Sequence, residues 1–220
     1  MAMDCRGDIY DYVGGQKDLR KKRLVTVGNP VRRFQEDALR LFRACRFAGQ
    51  LDFMASKDLV KAMPLAFGRV PGLSLERVVN EMDRLTVTPA AYRGLDILVR
   101  TGLAACSCRQ KVNGCYEAVP ILPELSHLPD TPQSKPFHLF DAWVHTLATV
   151  ANTPPDLTIR YAALFHDIAK GCPVSAASIR AAIPITATMP RAQNWPKPSC
   201  CAGTRNRPLP SAWPGWSRRI

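Results

Sequence analysis

Apolar residues recur at intervals of three and four over most of the first 170 positions, the period of a helix with one buried face. Phe34, Ala38, Leu41, Phe42 and Cys45 share one such face. The segment "LSLERVVNEMDRL" repeats the pattern with Leu75, Val78, Val79 and Met82. Ser74 stands at its N-cap, although Arg77 occupies the place where a capping box would put an acid. "AAYRGLDILVRTGL" predicts a further helix, stopped by Gly102. A polar, proline-rich connection, "LPELSHLPDTPQSK", then leads to "HLFDAWVHTLATVA" and "LTIRYAALFHDIAK", both helical by period. Residues 1–30 differ: short apolar pieces alternate with glycine and charge. They suit a strand, a turn at Gly14-Gly15 and a second strand at "RLVTV". The predicted fold is mainly α.

The pattern stops after Lys170. Residues 171–220 hold no Asp or Glu but seven Lys or Arg, eight prolines and three of the four tryptophans. A disordered basic tail is one reading of that composition. The other is a shifted reading frame, favoured by three tryptophans in a stretch with no core to bury them. The formal charge of the 220-residue chain is +12, which points to an anionic partner, nucleic acid or anionic lipid. Acids occupy the N-terminus where a signal peptide is cationic, and no 18-residue apolar run occurs, so a cytoplasmic protein without a membrane partner is expected. The eight cysteines form no regular framework, and "CSCRQKVNGC" lacks the CxxC pairs of a zinc site, so reduced thiols are expected.

Three short stretches carry candidate chemistry. In "DYVGGQKDL", Gly14 and Gly15 suit either a plain turn or a hinge. In "EDALRLFRACRFA", Glu36, Asp37 and Arg40 fall on one helical face, with Arg43 and Arg46 one and two turns on. That face is either solvated ion pairs or a reader: a carboxylate accepts from an exocyclic amine while a guanidinium donates to a ring nitrogen or carbonyl. Cytosine and adenine both set an amine beside an acceptor. In "HTL…LFHDIAK", His145 precedes His166-Asp167 by 21 residues. Such histidines are either packed in a core or, with the carboxylate, ligands for a divalent metal that activates water. The HD pattern needs a later Asp, and none follows Asp167, so that site is expected to be incomplete. Glu76 with Arg77, and Glu81 with Arg84, are read as ion pairs bracing the helices, and His138 as solvent-facing or at a helix start.

"MAMD…GDIYDYVGGQKDL", "VGNPVRRFQEDALRLFRACRFAGQLDF", "ERVVNEMDRL" and "HDIAK", in that order, resemble the bacterial tRNA nucleotidyltransferase/poly(A) polymerase family, the CCA-adding enzymes. The resemblance runs from Met1 to about Lys170 and implies four parts. Residues 1–30 would be the C-terminal remnant of a small α/β nucleotidyltransferase head, and 31–120 a helical neck and body that binds nucleotide and RNA. Residues 121–170 would be the start of a helical HD domain, and 171–220 the basic tail or frameshifted stretch. Asp11, Gly14, Gly15 and Asp18 match the family's head-to-neck hinge. Glu36, Asp37 and Arg40 match its EDxxR base-reading helix, with Arg43 beside them. His145, His166 and Asp167 match an incomplete HD metal site.

The family's DxD metal carboxylates and Gly-Ser turn have no counterpart in the chain, which implies an N-terminal truncation and no catalytic residue here. The resemblance thus implies a fragment of an enzyme that moves CMP and AMP from CTP and ATP onto the tRNA 3′ end with Mg²⁺, inactive by itself. The alternatives are a non-catalytic basic tRNA-binding module and an HD-type metal-dependent phosphohydrolase. They separate by nucleotide selectivity, salt dependence and metal-dependent phosphate release.

Overall fold

The computed structural model describes residues 1–131 and 141–170. His138, the stretch 171–220 and the readings made of them lie outside the described residues. Glycine and charge keep the first thirty residues in short pieces. β1 (Ala2–Met3) pairs antiparallel with β2 (Ile9–Tyr10), and a six-residue helix α1 (Gly15–Arg20) leads to β3 (Arg23–Leu24). The turn expected at Gly14-Gly15 is instead the start of α1. Gly14 takes a left-handed φ of 74°, and the Asp11 carboxylate accepts from Gly15 N at 2.9 Å and Gln16 N at 2.8 Å. Those donors, orphaned by any helix start, are what turns the segment helical.

Asn29 opens α2 (Pro30–Glu36): its side chain accepts from Val31 N and Arg32 N, and Pro30 sits at a first-turn position where a missing N–H costs nothing. α3 (Leu39–Leu51) follows, then β4 (Met54–Ala55), which pairs parallel with β3. Ser56 caps α4 (Lys57–Ala62), whose chain continues into a 3₁₀ stretch, Pro64–Gly72. α5 (Leu75–Thr86) and α6 (Ala91–Arg100) complete the central layer, and both pack on α3. Gly102, at a φ of 85°, ends that run as its sequence predicts.

The span 31–120 is not helical throughout. β5 (Ser107–Val112) and β6 (Cys115–Pro120) form an antiparallel hairpin in full register, turning at Asn113-Gly114. Both turn residues have positive φ, as the two-residue hairpin turn requires, and Asn-Gly is its strongest sequence signal. Two helices follow, α7 (Ala142–Asn152) and α8 (Leu157–Phe165), the latter capped by Asp156. One buried cluster runs through the described helices, from Phe34, Leu41 and Phe42 to Leu95, Leu98, Trp143 and Leu164.

Three polar contacts hold α7 and α8 to the central layer. Trp143 Nε1 donates to Asp96 Oδ1 at 2.9 Å, and Tyr161 Oη donates to Asp83 Oδ1 at 2.8 Å. Arg160 is 3% exposed and donates to the carbonyls of Thr86, Thr88, Thr153 and Pro154. A buried guanidinium without a carboxylate is stable only if its donors are met, and four backbone oxygens meet them. Among the described residues no helix is long and apolar enough to cross a membrane.

Candidate nucleotide- and metal-binding sites

The segment predicted as one helix through Glu36, Asp37 and Arg40 is broken at Asp37. That residue has extended angles, φ −149° and ψ 106°, between α2 and α3. The physical reason is local. Asp37 Oδ1 accepts from Leu39 N at 3.0 Å, so its side chain satisfies the next helix's first free donor instead of continuing the previous helix. Asp37 Oδ2 makes no hydrogen bond among the described residues.

Arg40 spans the break. Its Nη1 donates to Glu36 Oε2 at 2.7 Å and to the Arg33 carbonyl at 2.9 Å, tying the end of α2 to the first turn of α3. Arg33 Nη1 also meets Glu36 Oε2 at 2.9 Å. Hydrogen bonding from Arg40, with the Arg33 charge beside it, holds the Glu36 carboxyl below its ordinary range. The two Nη1 protons of Arg40 are thereby used, while Nε and Nη2 keep three donors on a side chain that is 36% exposed. The break thus sets a free carboxylate oxygen and a fixed guanidinium on neighbouring turns.

Arg43 is exposed on the next turn, its guanidinium 5.8 Å from the Phe47 ring centre. Arg46 is engaged elsewhere: Nε meets Glu81 Oε2 at 2.7 Å, Nη1 meets Gln50 Oε1, and the guanidinium lies 4.2 Å from the Phe47 ring centre. Glu81 therefore braces α5 against α3 rather than pairing with Arg84, and Glu76 with Arg77 forms no ion pair. Geometry wins here, because Arg46 reaches Glu81 across a helix interface that largely excludes water. Of the matched hinge residues, Asp11 caps α1, Gly14 and Gly15 begin it, and Asp18 lies in its first turn.

The second site joins α7 to the chain just after α8. His145 Nε2 lies 3.7 Å and His166 Nε2 3.2 Å from Asp167 Oδ2, with the two rings edge-on at 5.2 Å between centres. The ligand atoms of the three side chains lie within 4.8 Å of one another. Asp167 Oδ2 is buried and has no aligned hydrogen bond, although Lys170 Nζ approaches it to 2.8 Å and neutralises its charge. A buried carboxylate oxygen with an unused lone pair facing two imidazoles is the donor set a divalent cation takes. Lys170 and His127 were not singled out by sequence. His127 Nε2 lies 2.9 Å from the Lys170 carbonyl oxygen, and the only signal for Lys170 was its spacing of three from Asp167.

No protein-family signature matches the chain. The CCA-adding enzyme of Bacillus pumilus is 39% identical over 141 residues, which is 64% of this chain and 32% of that enzyme. The CCA-adding enzyme of Bacillus licheniformis is 43% identical over 103 residues, 47% of this chain and 26% of the enzyme. By sequence, the chain is similar to CCA-adding enzymes over this span. It spans a third or less of the length of these relatives. The crystal structure of the Bacillus stearothermophilus CCA-adding enzyme in complex with CTP aligns with a TM-score of 0.49 at 29% identity, covering 72% of this chain and 39% of that one.

Proposed function

We propose that the α2–α3 junction reads the base of a nucleoside triphosphate for addition to a tRNA 3′ end, a reading supported by the similarity to CCA-adding enzymes. The carrying observation is the break at Asp37. It leaves Asp37 Oδ2 without a partner and holds Arg40 at Glu36 and Arg33 with three donors remaining. Asp37 would accept from the N4 amine of cytosine or the N6 amine of adenine. Arg40 would donate to the adjacent ring nitrogen or carbonyl. Uracil and guanine present a carbonyl and an N–H along the same edge. A carbonyl facing Asp37 and an N–H facing Arg40 both repel, so CTP and ATP are chosen without a template. Arg43, exposed one turn along, would meet phosphate. The Mg²⁺-assisted transfer of CMP or AMP is assigned to no residue of this chain.

Saturation-transfer NMR on the 220-residue chain tests this reading. Transfer to CTP and ATP but not to UTP or GTP is expected, and equal transfer to all four overturns it. The basic tRNA-binding module remains the contrasting case, since it predicts RNA binding with no nucleotide preference.

A second reading concerns His145, His166 and Asp167, whose geometry fits a divalent cation of the Mn²⁺, Fe²⁺ or Zn²⁺ type. Such a metal supplies Lewis acidity and an acidified water for phosphoester hydrolysis. The two imidazoles and Asp167 Oδ2 would hold it, and Lys170, now on that oxygen, would be released toward an anionic ligand. Calorimetric titration with Mn²⁺ should show one site that Asp167→Asn abolishes. Binding unchanged in that variant removes the site.

A further inference from the structure

We propose that the outward face of the β5–β6 hairpin is a binding platform for unpaired RNA, with Tyr116 as the base-stacking residue and Arg109 and Lys111 as phosphate contacts. The register places these three side chains on one face. Lys111 lies directly opposite Tyr116, and Arg109 opposite Ala118 one step further from the turn. The other face is set by Cys108, which is 1% exposed and packs into the core beside Val119. Period two therefore turns Arg109, Lys111 and Tyr116 away from the protein.

Nothing in the fold explains this composition. Tyr116 is 64% exposed, so its ring adds little to the core. Arg33, Arg40, Arg46, Arg93 and Arg100 each meet a carboxylate, whereas Arg109 and Lys111 meet none among the described residues. The Arg109 guanidinium instead lies 4.9 Å from the Tyr116 ring centre, which holds the ring open to solvent on its other side. The base of the hairpin is anchored. Arg109 N donates to the Leu73 carbonyl at 2.9 Å and Cys106 O accepts from Ile121 N at 3.0 Å, so the face is presented on a rigid arm.

An exposed aromatic flanked by unpaired cations matches the chemistry of single-stranded nucleic acid. A base covers the ring, and the phosphates on either side meet the cations. The net charge of +12 supplies attraction of the same sign. A protein partner would need an apolar centre to bury, and this face offers one ring and one alanine. The inference rests on the proposed function only in choosing RNA as the nucleic acid.

The test is fluorescence anisotropy of the 220-residue chain with a labelled single-stranded RNA of mixed sequence, over a salt series. Tyr116→Ala should weaken binding about 5- to 150-fold, and Tyr116→Phe should preserve it. Arg109→Gln combined with Lys111→Gln should flatten the log–log salt slope by about 1.4. Glu117→Gln, on the opposite face, should leave the slope unchanged. All four positions are exposed, so unchanged thermal midpoints are expected and establish that the fold is intact. Undiminished RNA affinity in Tyr116→Ala overturns the proposal, as does binding to anionic phosphatidylglycerol vesicles with none to RNA. The CTP preference of the same variants is read separately. Its presence beside an undiminished Tyr116→Ala complex removes the platform and spares the nucleotide-reading assignment. Its absence beside a weakened complex does the reverse.

Discussion

Arg46 Nε and Glu81 Oε2 lie 2.7 Å apart across the α3–α5 interface, with side chains only 12% and 13% exposed. A pair so shielded from water is lost at a cost when one partner is removed, because the other remains buried and charged. Glu81→Ala is expected to destabilise the chain by about 1–3 kcal/mol in urea unfolding. Arg84→Ala should change stability by less than about 0.5 kcal/mol, the range of ordinary surface substitutions. Equal effects would contradict the observed pairing.

Gly94 sits where α6 crosses α3. A methyl there would press on the Cys45 carbonyl oxygen and approach Leu85 Cδ1 to 2.5 Å and Cys45 C to 2.9 Å. Alanine is the better helix former by about 1 kcal/mol, so propensity alone predicts that Gly94→Ala stabilises. Backbone contact should win, because a carbonyl in a packed helix cannot give way as a flexible side chain can. Net destabilisation of about 1–3 kcal/mol is expected from denaturant unfolding.

Arg160 links α8 to the C-terminal end of α5 through Thr86 and Thr88. Arg160→Met keeps much of the stem's volume but strips four carbonyls of their donor. It should cost at least about 2 kcal/mol. A thermal midpoint equal to the parent's would show that those carbonyls find other partners.

Burial pushes the Cys45 thiol up to about 12. A raised folded-state value means that the neutral thiol is favoured in the fold. The stability it contributes is complete below the unfolded value, near 8.5, and is lost as pH rises toward 12. Between pH 8 and pH 10.5 the parent should therefore lose more unfolding free energy than Cys45→Ala. Parallel losses would place that thiol in water.

The helical periods of α3, α5 and α6 were legible because one apolar stripe per helix is all that packing in layers demands. The stop at Gly102 was equally local. The hairpin was also written in the chain, at Asn113-Gly114 between alternating residues, although the helical body expected over 31–120 left no place for strands. What sequence spacing could not show is direction. Asp37 has the right residue type for a helix face, yet its carboxylate serves the next backbone N–H and breaks the helix there. Likewise Glu81 has a possible partner three residues on, and takes one 35 positions earlier because the fold brings it nearer. His145 and the His166-Asp167 pair could be matched by pattern. That Lys170 shares the same carboxylate oxygen emerges only in three dimensions.

The central claim is that the α2–α3 junction selects a base by its amine edge. Isothermal titration of CTP and UTP into the parent chain and into Arg40→Ala tests it most directly. The account predicts that the parent binds CTP at least about tenfold more tightly than UTP, since one good bidentate contact discriminates by about 1–3 kcal/mol. Arg40→Ala should erase the difference, with a circular dichroism spectrum showing that the helices remain. Equal affinity of the parent for both nucleotides, or a preference that survives in Arg40→Ala, would contradict it.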